Sequence, residues 1–157
     1  MSDDSGARPS EKRHWRPMPS TVSVELPAGD DARQRIRSFV RRTLLAWEVD
    51  ASHASAVLDV TDELVTNALR HGQQPITLTL ERDTAVRVLV HDASFEMATV
   101  LPYRSGVSEH GLGLRLVRQL SDRWGQVSDG NGKVVWAEVG SAVPHAHRPR
   151  RVGRVAG

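Results

Sequence analysis

Asp59-Val-Thr-Asp-Glu63-Leu-Val-Thr-Asn67-Ala-Leu-Arg-His71-Gly72 is the stretch on which the fold of this chain turns. Asp59, Glu63, Asn67 and Arg70/His71 recur in steps of four, then three or four, so they form one polar line along a helix. Val57, Leu64, Val65 and Leu69 cover the neighbouring faces. Such a line is ordinarily the solvated side of an amphipathic helix. Asn67 fits that explanation poorly, because asparagine is a weak helix former and gains nothing mid-helix on a wet face. The helix is expected over residues 52–71, with Gly72 in the place of a C-terminal stop.

Upstream, Val22, Val24 and Leu26 alternate over residues 21–26, which predicts a strand. Pro27-Ala-Gly-Asp30 is a turn that offers Asp30 as the N-cap of a helix over residues 31–47. Ile36, Val40, Leu44 and Trp47 give that helix its apolar spacing, and Arg33, Arg37 and Arg41 ride another face. Arg37 and Arg41 are expected to be exposed, on a solvated face or at a homodimer or partner contact.

Downstream, strands are expected at 76–81 and 85–91, joined by a turn near Arg82-Asp83-Thr84. Val86, Val88 and Val90 share one face, and Asp92 continues it. Residues 93–110 have no clean period and form a loop of functional length. A third helix is expected over 112–123, and a closing hairpin pairs 124–128 with 133–139 around Asp129-Gly-Asn-Gly132. The order is β-α-α-β-β-loop-α-β-β. Partly segregated strands and helices predict an α+β two-layer sandwich, with a mixed, mostly antiparallel sheet covered on one face by about three helices.

Composition narrows the chemistry. The formal charge of +2 is unevenly spread: residues 20–140 carry thirteen basic and sixteen acidic side chains, while residues 141–157 carry four arginines and no acid. A mildly acidic domain argues against a nucleic-acid-binding face. Residues 1–19 and the basic 141–157 are expected to be disordered tails flanking one domain over 20–140. The absence of cysteine excludes disulfides, thiolate catalysis and thiolate metal sites. No apolar run reaches the roughly 18 residues of a membrane span, and the polar first twenty residues do not form a signal peptide. A cytoplasmic location is the expectation. Only Lys12 and Lys133 among the 21 basic residues are lysine, an arginine bias that suggests a GC-rich genome.

Three features could carry chemistry. The first is the Glu63/Asn67 line. The second is Asp92, whose carboxylate, set on an apolar strand face, must point into a cleft or find a partner inside. The third is His110-Gly-Leu-Gly-Leu114 at a helix entry, where glycine lets backbone N–H groups approach an anion. No Gly-Lys-Ser/Thr follows it, and no strand and third glycine complete a dinucleotide fingerprint. His71, at a helix end, and His91, on the strand face opposite Asp92, read as structural rather than as a metal pair.

Taken together, Glu63-Leu-Val-Thr-Asn67-Ala, Asp92-Ala-Ser94 and Gly111-Leu112-Gly113-Leu114 resemble the boxes of the Bergerat ATP-binding fold, the superfamily of the gyrase and histidine kinase ATPase domains. Within it, Trp124-Gly125 and Gly132-Lys-Val-Val-Trp136-Ala-Glu138 look most like the anti-sigma factor serine/threonine kinase family, in its small stand-alone actinobacterial form. The resemblance covers roughly residues 20–140. It implies that Asn67 coordinates Mg²⁺, that Glu63 is the general base, and that Asp92 accepts a hydrogen bond from the adenine amino group. It further implies that Gly111, Leu112, Gly113 and Leu114 form the phosphate box, with Arg115 a phosphate contact by position. A sigma factor and an anti-sigma factor antagonist are the implied partners.

The adenine box departs from the usual Asp-x-Gly-x-Gly, reading Asp92-Ala-Ser94-Phe-Glu96. Losing the second glycine stiffens the loop, and Glu96 adds a negative charge. Two functions are therefore open: a protein serine/threonine kinase, or a nucleotide-gated binding module without phosphoryl transfer. A histidine kinase fragment matches less well, since no helix pair carrying a phosphoacceptor histidine precedes the domain.

Overall fold

The computed structural model describes residues 20–96 and 112–140. Five strands, β1 (Thr21–Glu25), β2 (Thr77–Arg82), β3 (Ala85–Asp92), β4 (Arg123–Ser128) and β5 (Lys133–Gly140), and three helices, α1 (Ala32–Ala46), α2 (Ala51–His71) and α3 (Leu112–Leu120), follow the expected order. The strands form one sheet in the order β1-β2-β3-β5-β4. Every neighbouring pair is antiparallel, so the sheet is not mixed. β5 lies between β3 and β4, and it keeps those two strands, which run the same way, from pairing directly.

Strand alternation sorts the two faces. Leu78, Leu80, Val86, Val88, Val90, Val135, Ala137 and Val139 are buried on one face, where they meet Ile36, Val40 and Leu44 of α1, Val57, Leu64 and Val65 of α2, and Val117 of α3. Each such valine, leucine or isoleucine contributes about 1.5–3 kcal/mol by leaving water. The opposite face is polar and partly exposed. There Arg87 lies 3.4 Å from Glu81 and 3.3 Å from Glu138 across the sheet, with its guanidinium 5.9 Å from the Trp136 ring centroid. These half-exposed pairs each stabilise by no more than about 1 kcal/mol. One dry face and one wet face make this a two-layer α+β sandwich.

The helix ends differ from the expected ones in instructive ways. Asp31, not Asp30, is the N-cap of α1, and no side-chain cap bond forms; Ala32 N–H instead reaches the Gly29 carbonyl at 3.2 Å, from a glycine with φ of 113°. The C-terminus of α1 is a Schellman motif: Val49 N–H donates to Leu44 O and Glu48 N–H to Leu45 O, both at 3.0 Å. Glu48 takes the left-handed position at φ 54°, usually given to glycine. Asp50 caps α2, its Oδ1 accepting from His53 N–H at 3.0 Å.

Arg37 is half-buried and ion-paired with Asp62 of α2, so it ties the two helices together and is not a free surface charge. α3 ends at Leu120, three residues earlier than expected, because Asp122 N–H bonds to Glu138 O at 2.9 Å and draws the chain into β4. The β4–β5 hairpin turns at Asp129–Gly132, where Gly130 has φ of 85° and Asn131 N–H donates to Asp129 Oδ1 at 2.9 Å. That backbone bond, opposed by partial burial and assisted by His91, holds the Asp129 carboxyl below its usual range.

Candidate functional site

α2 runs from its Asp50 cap to His71 and carries the polar line on a helix that is otherwise well buried. Val57, Val60, Leu64 and Val65 face the core at 0–2% exposure, whereas Asp59, Glu63 and Asn67 are intermediate. Arg70 and His71, the continuation of the line, are exposed. The side chains of Glu63 and Asn67, one turn apart, make no hydrogen bond or ion pair with a described residue. Helix rise puts them about 6 Å apart along the axis.

The last turn of α2 abuts β3. Gly72 has extended backbone, φ −88° and ψ 179°, so it does not end the helix through a left-handed conformation. Its lack of a side chain serves close approach instead: a Cβ there would stand 2.5 Å from Ala68 O and 2.7 Å from Asp92 Cγ. Asn67 lies five residues before this contact, about 7.5 Å along the helix axis. Glu63, Asn67 and the Asp92 carboxyl thus follow one another along the C-terminal half of α2.

Asp92 is 1% exposed and has found its partner inside. It pairs in register with Lys133 of β5, itself 2% exposed, and the ammonium stands 3.1 Å from Oδ2 and 3.2 Å from Oδ1. Oδ1 also accepts the Ser94 N–H at 2.8 Å and, at 3.4 Å, the Gln73 N–H, while Ala93 N–H bonds to Gln73 O at 2.8 Å. The segment after α2 and the segment after β3 are therefore stitched together around one carboxylate. Ser94 is buried as well, and its Oγ accepts the Glu96 N–H at 3.1 Å. Side chains thus close the turn where glycines were missed in the sequence, and Phe95 and Glu96 are left exposed.

The third feature is described in part. Gly111 lies outside the described residues, and Leu112 and Gly113 are placed only as the first residues of α3. Leu114 is 7% exposed and belongs to the hydrophobic core, so its side chain packs inward. Arg115 is half-buried. α3 packs on α2, which brings the third feature to the helix that bears the first.

His91 and Asp92 point to opposite faces of β3, as alternation demands. His91 Nε2 lies 3.2 Å from Asp129 Oδ2, and His71 is exposed at the end of α2. Among the described residues no group of three or more His, Cys, Asp or Glu could hold a metal, and no helix is long and apolar enough to cross a membrane. The sequence showed Lys133 only as one of two lysines and as part of the closing motif, with no role in the site. Its signal was the two-residue period of Lys133, Val135, Ala137 and Val139, which sets a lysine on the buried face beside Asp92.

Residues 26–139 match the family described as the histidine kinase-like ATPase domain. No curated protein matches the chain. Among solved structures, the crystal structure of the RsbU and RsbW domains of Rv1364c from Mycobacterium tuberculosis has the same fold. It is similar at TM-score 0.57 and 19% identity, over 76% of this chain and 32% of that one. This chain therefore spans about a third of that chain's length. The Bergerat-type resemblance read from the three boxes is borne out at this level, for the family and for the α+β fold. The match covers well over half of the chain, which belongs to the histidine kinase-like ATPase domain family.

Proposed function

We propose that this domain binds ATP with Mg²⁺ and acts as an anti-sigma factor of the kinase type, phosphorylating a serine or threonine of an anti-sigma factor antagonist and binding a sigma factor. The observation that carries this reading is the pairing of Glu63 with Asn67. Both are half-buried on a core helix, one turn apart and unspent on any described residue. That helix ends against the buried Asp92. The solved relative includes an RsbW domain, which supports the regulatory assignment.

The available groups suit the ligand. Asn67 offers a neutral amide oxygen, a hard donor suited to Mg²⁺ when phosphate and water oxygens complete the shell. Asp92 Oδ2 meets only Lys133 among the described residues, so it retains a lone pair for the adenine amino group. Gly111, Leu112, Gly113 and Leu114 would supply the phosphate box at the mouth of α3, with Arg115 beside it. When bound, the metal neutralises phosphate charge. Glu63 orients the acceptor hydroxyl and takes its proton as that oxygen bonds to the terminal phosphorus and the bond to the bridging oxygen breaks.

Radiolabelled ATP and the cognate antagonist give the test. Wild type is expected to label the antagonist, and Glu63→Gln to stop labelling while ATP stays bound. An antagonist that remains unlabelled under every condition removes the kinase claim. A second reading, a nucleotide-gated binding module without transfer, draws on the turn closed by Ser94 and Glu96 in place of glycine. It predicts ATP–Mg²⁺ binding that Asn67→Ala abolishes, with partner capture that survives Glu63→Gln.

A further inference from the structure

Lys133 is the buried cation of this domain's described core, and holding Asp92 does not exhaust it. An ammonium carries three N–H donors and no acceptor. The nitrogen stands 3.1 and 3.2 Å from the two Asp92 oxygens, contacts that engage at most two of the donors, and no described residue takes a third. On the carboxylate, Oδ1 is saturated by Ser94 N–H, Lys133 and the longer Gln73 contact, whereas Oδ2 meets Lys133 alone. Among the described residues, the pair therefore leaves an ammonium donor and a carboxylate acceptor unused.

That couple has a chemical complement. The Watson–Crick edge of adenine sets an amino donor beside the ring N1 acceptor, and enzymes read bases through that edge. At 1% and 2% exposure, neither protein group competes with bulk water, so a hydrogen bond lost here carries a full desolvation penalty.

We propose that Lys133 is a base-reading residue: its third N–H donates to adenine N1 while Asp92 accepts from the amino group. The proposal rests on the reading of Asp92 as the adenine acceptor and adds a specificity determinant to it. The cross-strand register Asp92↔Lys133 fixes the spacing of donor and acceptor, so base identity is read by two strands.

Calorimetric titration of the full chain with Mg²⁺ and three nucleotides tests it: ATP, 1-deaza-ATP, in which N1 is a C–H, and 7-deaza-ATP. Wild type is expected to bind 1-deaza-ATP at least about tenfold more weakly than ATP, and 7-deaza-ATP as well as ATP. Lys133→Met is expected to bind ATP and 1-deaza-ATP alike. A lysine that served structure alone would lower both affinities together and leave their ratio unchanged. Equal binding of ATP and 1-deaza-ATP by wild type overturns the proposal, and needs no variant to fold. So does Lys133→Met that still discriminates between them. Wild type that binds no ATP overturns the nucleotide reading itself, a result distinct from either.

Discussion

Gly72 ends α2 directly against the carboxyl of Asp92, where a Cβ would stand 2.7 Å from Asp92 Cγ and 2.5 Å from the Ala68 carbonyl oxygen. Both distances are too short for a methyl group, and neither neighbour can swing away: one is backbone, the other a buried side chain held by Lys133. Gly72→Ala should therefore displace Asp92, costing about 1–3 kcal/mol of stability. Thermal unfolding measures the loss. Calorimetry on the folded variant should show weakened ATP binding; unchanged stability and affinity would refute this account of the glycine.

With Asn67 proposed as the metal ligand, chelation and substitution should not add. Removing divalent cations with EDTA should weaken ATP binding by wild type. Asn67→Ala should bind weakly with or without Mg²⁺, because the amide oxygen proposed to link cation to helix is gone. A variant whose affinity still rises with Mg²⁺ as much as in wild type would place the metal elsewhere.

Glu48 pays for its place in the α1 Schellman motif with a left-handed backbone, φ 54°. Glycine adopts that conformation without steric cost. Glu48→Gly should therefore stabilise the domain by up to about 1 kcal/mol, even though a flexible residue ordinarily destabilises. Chemical denaturation decides the sign; a lower midpoint would mean that the side chain of Glu48 supplies more than its backbone costs.

Asp50 caps α2 with its carboxylate, which His53 N–H, then Ser52 Oγ, hold below the usual carboxylate range. A carboxyl whose folded pKa is depressed stabilises above its unfolded value, near 4, and loses that contribution as pH falls through the folded one. The melting temperature of Asp50→Ala should lie below that of wild type at neutral pH. The gap should narrow below about pH 4. A gap that stays constant with pH would exclude the ionised cap as its source.

Arg37 and Asp62 join α1 to α2 while remaining 40% and 26% exposed. Solvent screens such a pair, so a double-mutant cycle with alanine should give a coupling of about 0.2–1 kcal/mol that shrinks in high salt. A coupling above that range would show the pair to be more shielded than its exposure indicates.

Local pattern determined a great deal here. Alternation in Val86, Val88 and Val90 and four-residue steps in α2 dictated element type and order, because burial of one face is written in the period of the sequence. The same arithmetic put Asp92 on the inner face of β3 and required it to find a partner. Asn67 stood out for being a poor helix former in a good helix. These readings needed only neighbours within a turn or a strand.

Who that partner is could not be read locally. Lys133 lies 41 residues from Asp92, and only the β3–β5 register sets them opposite each other. Gly72 stops α2 where the sequence placed the stop, but it is needed there for close approach to the same carboxylate and not for a left-handed turn, which depends on where β3 passes. Arg37 looked like a free surface charge until α2 brought Asp62 beside it. Sequence periodicity determines which way a side chain points along its own element; what it meets there is set by how the elements pack, and in this domain that packing joins α2, β3 and β5 at Asp92.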